Sequence, residues 1–125
     1  MDRKFVGIGW LYAILGLTLG IYMAASKNHG QLVTHAHIML LGFAVSFAYG
    51  VCHKLWLGNA RGLLASIQFY AHQLGTLALV GSLFLLYGNF VADTMLGPIL
   101  GVSSIVVLGG AVLMGVMFLK SPHRA

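Results

Sequence analysis

Four long apolar stretches separated by short polar breaks dominate this sequence. They occupy residues 5–25, 32–55, 63–87 and 95–119, and each is close to the ~20 residues that a helix needs to cross a bilayer. Apolar residues make up 59% of the chain and charged residues only 7%, which leaves too little polar surface to cover a soluble globule. The sequence therefore predicts an all-α integral membrane protein, a four-helix bundle in which residues 1–125 form a single transmembrane domain.

The polar breaks predict how the spans are connected. They lie at residues 26–31, 57–62 and 88–93 and contain glycine, asparagine and other turn-forming residues. Such short connections favour an up-down-up-down bundle. One side of the membrane then receives most of the basic residues: Arg3, Lys4, Lys54, Arg61, Lys120 and Arg124. By the positive-inside rule we expect both termini to be cytoplasmic, in a bacterial-type inner membrane.

The charge and cysteine content exclude several function classes. The formal net charge of +5 comes mainly from residues that flank the spans, so it predicts orientation in the membrane and lipid contact, and not a nucleic-acid partner. Cys52 is the only cysteine, which excludes disulfides and thiolate clusters within one chain. Any chemistry must take place inside the bundle or between copies of it.

Two histidines one residue apart, His35 and His37, lie inside the second apolar stretch. Ionisable groups at membrane depth are costly and mark functional sites by default. If the span begins near residue 32, a rise of ~1.5 Å per residue places both rings roughly 5 to 8 Å into the apolar layer. Two positions on a helix correspond to a rotation of about 200°, so the rings point to nearly opposite sides. We therefore expect them to serve two sites or two interfaces.

A third histidine, His72, lies nearer the middle of the membrane, in the third apolar stretch. Gln68, Gly75 and Thr76 share its helical face, and this polar, small-residue surrounding suits a ligand, the edge of a cofactor or a water molecule. The alternative interpretation of His72 is a hydrogen bond to a neighbouring helix.

Three further histidines have no predicted site role. His29 falls in a polar break, His123 falls in the tail, and His53 is expected to reach water beside Lys54. Imidazoles with little sulfur or carboxylate nearby suit zinc, copper or iron, and the apolar macrocycle of haem also gains from burial. The two acidic residues lie at span ends, which argues against a proton or cation relay.

The segment Thr34-His35-Ala36-His37-Ile38-Met39-Leu40-Leu41-Gly42-Phe43, with the apolar run that leads from it to His53-Lys54-Leu55-Trp56, resembles one known helix. It is similar to the His-x-His helix of the catalytic subunit of haem-copper oxidases and nitric oxide reductases. In that family the helix presents one histidine to a high-spin haem and the other to a low-spin haem. The third span, from Ser66 to Thr76, is similar to family helices with an aromatic pair followed by a Leu-Gly turn.

The resemblance implies one four-helix arc of a subunit that has three such arcs. We hypothesise a homotrimer, in which three copies around a threefold axis supply the missing arcs. His37 of one copy and His35 of its neighbour would then ligate one b-type haem from its two faces. The family's copper centre needs further histidines and a cross-linked tyrosine without obvious equivalents here, so oxygen or nitric oxide reductase activity is not expected, and whether the protein is an enzyme stays open.

The coordination of the iron also stays open. Two histidine ligands favour electron transfer or redox sensing, whereas a single ligand would permit gas binding. Around the haem, Gly42 and Gly75 are expected to let the flat ring approach the helices. The expected lining residues are Phe43, Phe69 and Tyr70, and the expected propionate partners are Lys27, His29 and Gln31. The redox partner is not predicted.

Two alternatives belong to other function classes. A copper- or zinc-handling membrane protein would hold its metal with His35, His37 and His72, to which Met39 would add a thioether. A cofactor-free small subunit of a respiratory complex would instead dock through faces of small residues. Those faces contain the pairs Gly16/Gly20 and Gly97/Gly101 and the series Gly42, Ser46 and Gly50.

Overall fold

Four long helices make up the computed structural model, which describes residues 1–122. The helices are α1 (Asp2–Ser26), α2 (Leu32–Leu55), α3 (Leu63–Tyr87) and α4 (Asp93–Lys120), and each is long and apolar enough to cross a membrane. The prediction of an all-α, multi-pass membrane protein is confirmed. Helix α1 begins three residues earlier than predicted, at Asp2, and the predicted positions His123 and Arg124 lie outside the described residues.

The connections begin where the backbone leaves the helical region. Lys27 ends α1 in a left-handed conformation with φ 57°, and the following turn is closed by a hydrogen bond of 3.0 Å from the backbone N–H of Gly30 to Asn28 Oδ1. Gly62 precedes α3 with φ 139°, a conformation that only glycine adopts readily. These turns hold successive helices close together.

Helix α2 changes its hydrogen-bonding pattern in the middle. Its first part, Leu32–His37, and its last part, Ser46–Leu55, are α-helical, and the intervening Ile38–Val45 is a π-helix. We predicted a regular helix over residues 32–55, and the widened turns are not visible in the hydrophobic pattern. Such π-helical segments are rare and are often found at functional sites. This one directly follows His37.

The helices pack as two pairs, α1 with α2 and α3 with α4, and the pairs contact each other through α2 and α3. One buried apolar cluster, the Phe5 cluster, consists of Phe5, Tyr49, Phe69 and Met114. A second, the Tyr12 cluster, consists of Tyr12, Ile38 and Val80. Many large apolar side chains on the outside of the four helices are exposed, as expected of a surface that is solvated by lipid.

Candidate functional site

His35 faces α1, and its ring is held in one orientation. Its Nδ1 lies 2.8 Å from the carbonyl oxygen of Gly16. Because a carbonyl only accepts, Nδ1 must carry the proton, and Nε2 keeps its lone pair. A Cβ at Gly20 would lie 3.1 Å from Cε1 of His35, so the glycine makes room for the ring. The half-buried His35 therefore presents Nε2 as a possible ligand atom.

His37 has the same tautomer for a different reason. Its Nδ1 lies 2.8 Å from the carbonyl oxygen of Val33, one turn earlier in its own helix. This contact again places the proton on Nδ1 and leaves the lone pair on Nε2. The side chain is half-buried. Since two helical positions correspond to a rotation of about 200°, His37 lies on the side of α2 away from α1.

The donor chemistry of this histidine pair fits a transition-metal ion such as iron, copper or zinc. Histidines that ligate metals typically donate the other ring N–H to a carbonyl or carboxylate, which fixes the tautomer and the ring orientation. His35 and His37 both have that arrangement, with backbone carbonyls as the acceptors. The residues present therefore fit haem ligation through Nε2.

The two glycines expected to admit the flat ring instead contact neighbouring helices. A Cβ at Gly42 would lie 2.4 Å from Cγ of Tyr12, and a Cβ at Gly75 would lie 2.9 Å from Cγ2 of Val107. Within one copy, side chains of α1 and α4 therefore occupy the space beside these two glycines, which serve close packing of the helices.

The expected lining residues lie in three different surroundings. The ring centroid of Phe43 lies 5.4 Å from that of Trp10, and Phe69 is buried in the Phe5 cluster. Tyr70 is 56% exposed on the outside of α3. These three aromatic residues do not form one pocket wall within a single copy.

The expected propionate partners lie in the connection between α1 and α2. Lys27 and His29 are exposed. Gln31 already has two partners, because its Nε2 donates to the carbonyl oxygen of Phe84 at 3.0 Å and its Oε1 accepts from the Thr34 hydroxyl at 2.6 Å. Lys27 and His29 are therefore the groups that can meet a carboxylate there.

His72 lies in the interior of the bundle and is fully buried. Its Nε2 lies 3.1 Å from the carbonyl oxygen of Leu41 and 3.0 Å from the Ser46 hydroxyl. The carbonyl contact places the proton on Nε2. Leu41 belongs to the π-helical segment of α2, so His72 gives this irregular segment a hydrogen bond from α3. The interhelical hydrogen bond expected as the alternative interpretation of His72 is present.

Further polar residues surround His72. We define the His72 cluster as five buried residues of α2 and α3: Ser46, Gln68, His72, Gln73 and Thr76. Two of its side-chain amides connect α3 to its neighbours. Gln68 Nε2 donates to the carbonyl oxygen of Gly110 in α4 at 3.2 Å, and Gln73 Nε2 donates to the Ser46 hydroxyl in α2 at 3.5 Å.

The His72 cluster is not fully satisfied by hydrogen bonds. Within the described residues, four of its buried side-chain atoms have no hydrogen-bond partner: Gln68 Oε1, His72 Nδ1, Gln73 Oε1 and Thr76 Oγ1. A buried polar group without a partner costs about 1–3 kcal/mol, so each of these four atoms lowers the stability of the bundle if it stays unpaired. Sequence reasoning placed Gln68 and Thr76 beside His72 but missed Gln73 and the hydroxyl of Ser46.

His53 is buried as well. It has no exposed surface, its ring stacks on Phe5 with centroids 5.6 Å apart, and neither ring nitrogen has a partner within residues 1–122. The prediction that His53 reaches water is wrong. The reason is that α1 begins at Asp2, and its first turns cover the end of α2: a Cβ at Gly50 would lie 2.6 Å from Cγ2 of Val6.

The five histidines within residues 1–122 do not assemble into one metal site. Residues 1–122 contain no group of three or more His, Cys, Asp and Glu side chains that could hold a metal ion. His35 and His37 lie at the start of α2, whereas His72 contacts the π-helical segment and the residue after it. No protein-family model, curated protein or solved structure matches the chain.

Proposed function

We propose that this protein binds b-type haem in the membrane, with His35 and His37 as iron ligands. The observation that carries the proposal is the shared tautomer: each Nδ1 is held by a backbone carbonyl oxygen at 2.8 Å, and each Nε2 keeps its lone pair. Both side chains are only half-buried, so a ligand can approach them from outside the single chain. Attachment would be non-covalent, because the chain has no Cys-x-x-Cys-His sequence.

When bound, the haem would supply one-electron redox chemistry. The chain would hold the iron between two imidazoles, which leaves no open coordination position and favours electron transfer or redox sensing. The carbonyl groups of Gly16 and Val33 would keep the rings from turning away. In the proposed up-down-up-down topology with both termini cytoplasmic, Lys27 and His29 would lie at the outer face, where they would meet the propionates.

The site would lie between copies. Because the two rings lie on opposite sides of α2, one copy cannot place both on the same iron. We therefore propose a homotrimer in a bacterial-type inner membrane, with His37 of one copy facing His35 of the next. A face of α4 supports association: a Cβ at Gly97 or Gly101 would meet no atom within 4 Å, so another helix can approach there closely.

A copper-handling protein is the second candidate, and one observation favours it. Met39 lies one turn after His35, and both contact α1 at Gly16, where a Cβ would lie 2.4 Å from the Met39 sulfur. A thioether and an imidazole on one face suit Cu(I). Zinc is less favoured, because it commonly takes four ligands and residues 1–122 contain no group of three candidate side chains.

An oxidised-minus-reduced absorption spectrum of the detergent-purified protein, with haem extracted and counted per chain, tests the proposal. We expect a Soret band and a sharp α band on reduction, both lost in His35→Ala and in His37→Ala. His123→Ala is the control, because His123 follows the fourth apolar stretch and has no predicted site role, and it should keep the spectrum. Stoichiometric copper without a Soret band would favour the second candidate, and a protein without either would be a cofactor-free subunit.

The oligomeric state is tested separately by native mass spectrometry of the haem-loaded protein. Trimers that dissociate when either ligand histidine is replaced would support a shared site. A haem-loaded monomer would contradict the placement of the site between copies.

A further inference from the structure

A cleft on the outside of the bundle lies between α1 and α2, at the end of the bundle where α1 begins. Its volume is about 470 Å³. Arg3, Gly7 and Trp10 line one wall and share a face of α1, because they are spaced by four and three residues. Val51 and Lys54 line the wall formed by α2. We call this site the basic cleft, and it has no role in the proposed haem site.

The outer end of the basic cleft is positively charged. The side chains of Arg3 and Lys54 are both exposed there. Asp2 also lines the cleft, but its Oδ1 already accepts a hydrogen bond of 2.7 Å from the backbone N–H of Arg3. The only other acidic side chain in the sequence is that of Asp93, which begins α4 at the opposite end of the bundle. The cleft therefore attracts an anion.

The inner part of the basic cleft is apolar and open. Val6, Gly7 and Val51 line it, and Trp10 lies ~10 Å from Arg3 along α1, because each residue of a helix adds ~1.5 Å. A Cβ at Gly7 would meet no atom within 4 Å, so this glycine leaves free space beside the helix. Since α1 and α2 are both apolar enough to cross a membrane, an occupant of this part must be apolar.

We propose that the basic cleft binds an anionic phospholipid. Its phosphate would contact Arg3 and Lys54, and one acyl chain would lie along Gly7 and reach Trp10. Basic pockets between helices at the membrane edge are typical sites for anionic head groups. The guanidinium of Arg3 suits a phosphate because it can donate two hydrogen bonds at once. A zwitterionic lipid also carries a cationic group, which both basic side chains repel, so the site selects for net negative charge.

Fluorescence of Trp10 tests this inference on the purified full chain. Trp56→Phe removes the second tryptophan and keeps an aromatic ring beside Phe118, which the Trp56 ring contacts with centroids 5.8 Å apart. The protein is placed in nanodiscs of phosphatidylcholine with a minor share of phosphatidylglycerol. Bromine is then introduced on the acyl chains of phosphatidylglycerol or of an equal share of phosphatidylcholine. Trp10 is 53% exposed, so a brominated chain in the cleft can quench it.

We expect brominated phosphatidylglycerol to quench Trp10 well beyond its share of the lipid, and brominated phosphatidylcholine to quench it only in proportion. The intensity with bromine is divided by the intensity without bromine in the same protein. Any other quencher cancels in this ratio, so the readout does not depend on haem.

Three variants locate the site. Arg3→Gln should weaken phosphatidylglycerol binding about fivefold, which is the usual contribution of one basic residue near an anionic membrane surface. Lys4→Gln is the matched control, because it removes the same charge from the next residue. The Lys4 Nζ lies outside the cleft, 6.0 Å from the ring centroid of Phe69 in α3, and binding should stay nearly unchanged. Gly7→Leu should abolish the preferential quenching, because its side chain fills the space for the acyl chain while the fold is kept.

Four results would overturn the inference. The first is equal quenching by the two brominated lipids, which is ordinary lipid contact. The second is no quenching by either lipid, which means that a second copy of the chain covers the cleft. The third is a loss of binding in Arg3→Gln no larger than in Lys4→Gln, and the fourth is preferential quenching that survives in Gly7→Leu. None of these results bears on the absorption spectrum, so the haem proposal stands or fails separately.

Discussion

The histidines of this protein occupy two contrasting environments. His35 and His37 are half-buried, and each has Nδ1 on a backbone carbonyl and Nε2 without a proton. His53 and His72 are fully buried, and His72 uses Nε2 to join α3 to α2. The comparison shows that the most deeply buried imidazoles are not the best ligand candidates. A ring whose Nδ1 is bonded to a carbonyl oxygen keeps the lone pair of Nε2 for a ligand. The buried His72 ring instead uses its Nε2 to bond α3 to α2, which stabilises the fold.

The largest expected effect is a loss of folding stability, and it differs between the two histidine environments. We expect His72→Ala to lower the free energy of unfolding by about 2–4 kcal/mol, because it opens a cavity and removes the hydrogen bonds of His72 to Ser46 and to the Leu41 carbonyl. In haem-free protein, His35→Ala should cost about 1 kcal/mol or less, since its ring is half-buried and makes one hydrogen bond. Reversible unfolding in mixed micelles measures both. Equal losses would show that the two environments do not differ energetically.

The transition between the two environments lies in the π-helical segment and can be tested at Gly42. A Cβ there would lie 2.4 Å from Cγ of Tyr12, so Gly42→Ala should destabilise the protein by about 1–3 kcal/mol through overpacking. Gly81→Ala is the matched control, because nothing lies within 4 Å of its Cβ position, and it should change stability by less than about 0.5 kcal/mol. A neutral Gly42→Ala variant would mean that α1 does not approach α2 as closely as described.

Much of the fold could be predicted from the lengths of the apolar stretches and from the turn residues between them. The number and approximate bounds of the helices follow from that pattern, because a lipid-exposed surface demands apolar residues over a fixed distance. The π-helical segment could not be predicted, since Ile38–Val45 is as apolar as a regular helix would be. Its Leu41 carbonyl is bonded by His72, a residue 31 positions away, and single-span periodicity does not encode such a contact.

The site could be predicted in part. The depth of His35 and His37 in the membrane and their spacing in the sequence identified them as candidate ligands. The contacts that set their tautomers could not be predicted, because they depend on packing against Gly16 and on the ring rotamers. His53 was expected to reach water because it lies beside Lys54 near a span end. Its burial depends on how far α1 extends past that end, and a charged neighbour does not reveal this.

A smaller effect tests whether the histidine pair depends on neighbouring copies. We expect Gly97→Leu to weaken oligomer formation by about tenfold, or ~1.4 kcal/mol, because a large side chain blocks close approach of another helix. Unfolding of the monomer should be unaffected, since the position is open within one copy. Native mass spectrometry over a dilution series gives the dissociation constant. If the oligomer is unchanged, then the Gly97 face is not the interface.

The smallest effect concerns the hydrogen bond next to the histidine pair. Thr34 is fully buried, and its hydroxyl donates to Gln31 Oε1 at 2.6 Å, while Gln31 Nε2 bonds to the Phe84 carbonyl. Thr34→Val keeps the shape and removes the donor, so we expect a loss of about 0.5–1.5 kcal/mol in stability. Hydrogen exchange should quicken at the first turn of α2 and stay unchanged near His72. An equal increase in the hydrogen-exchange rate at the first turn of α2 and near His72 would mean that the two histidine environments unfold as one unit.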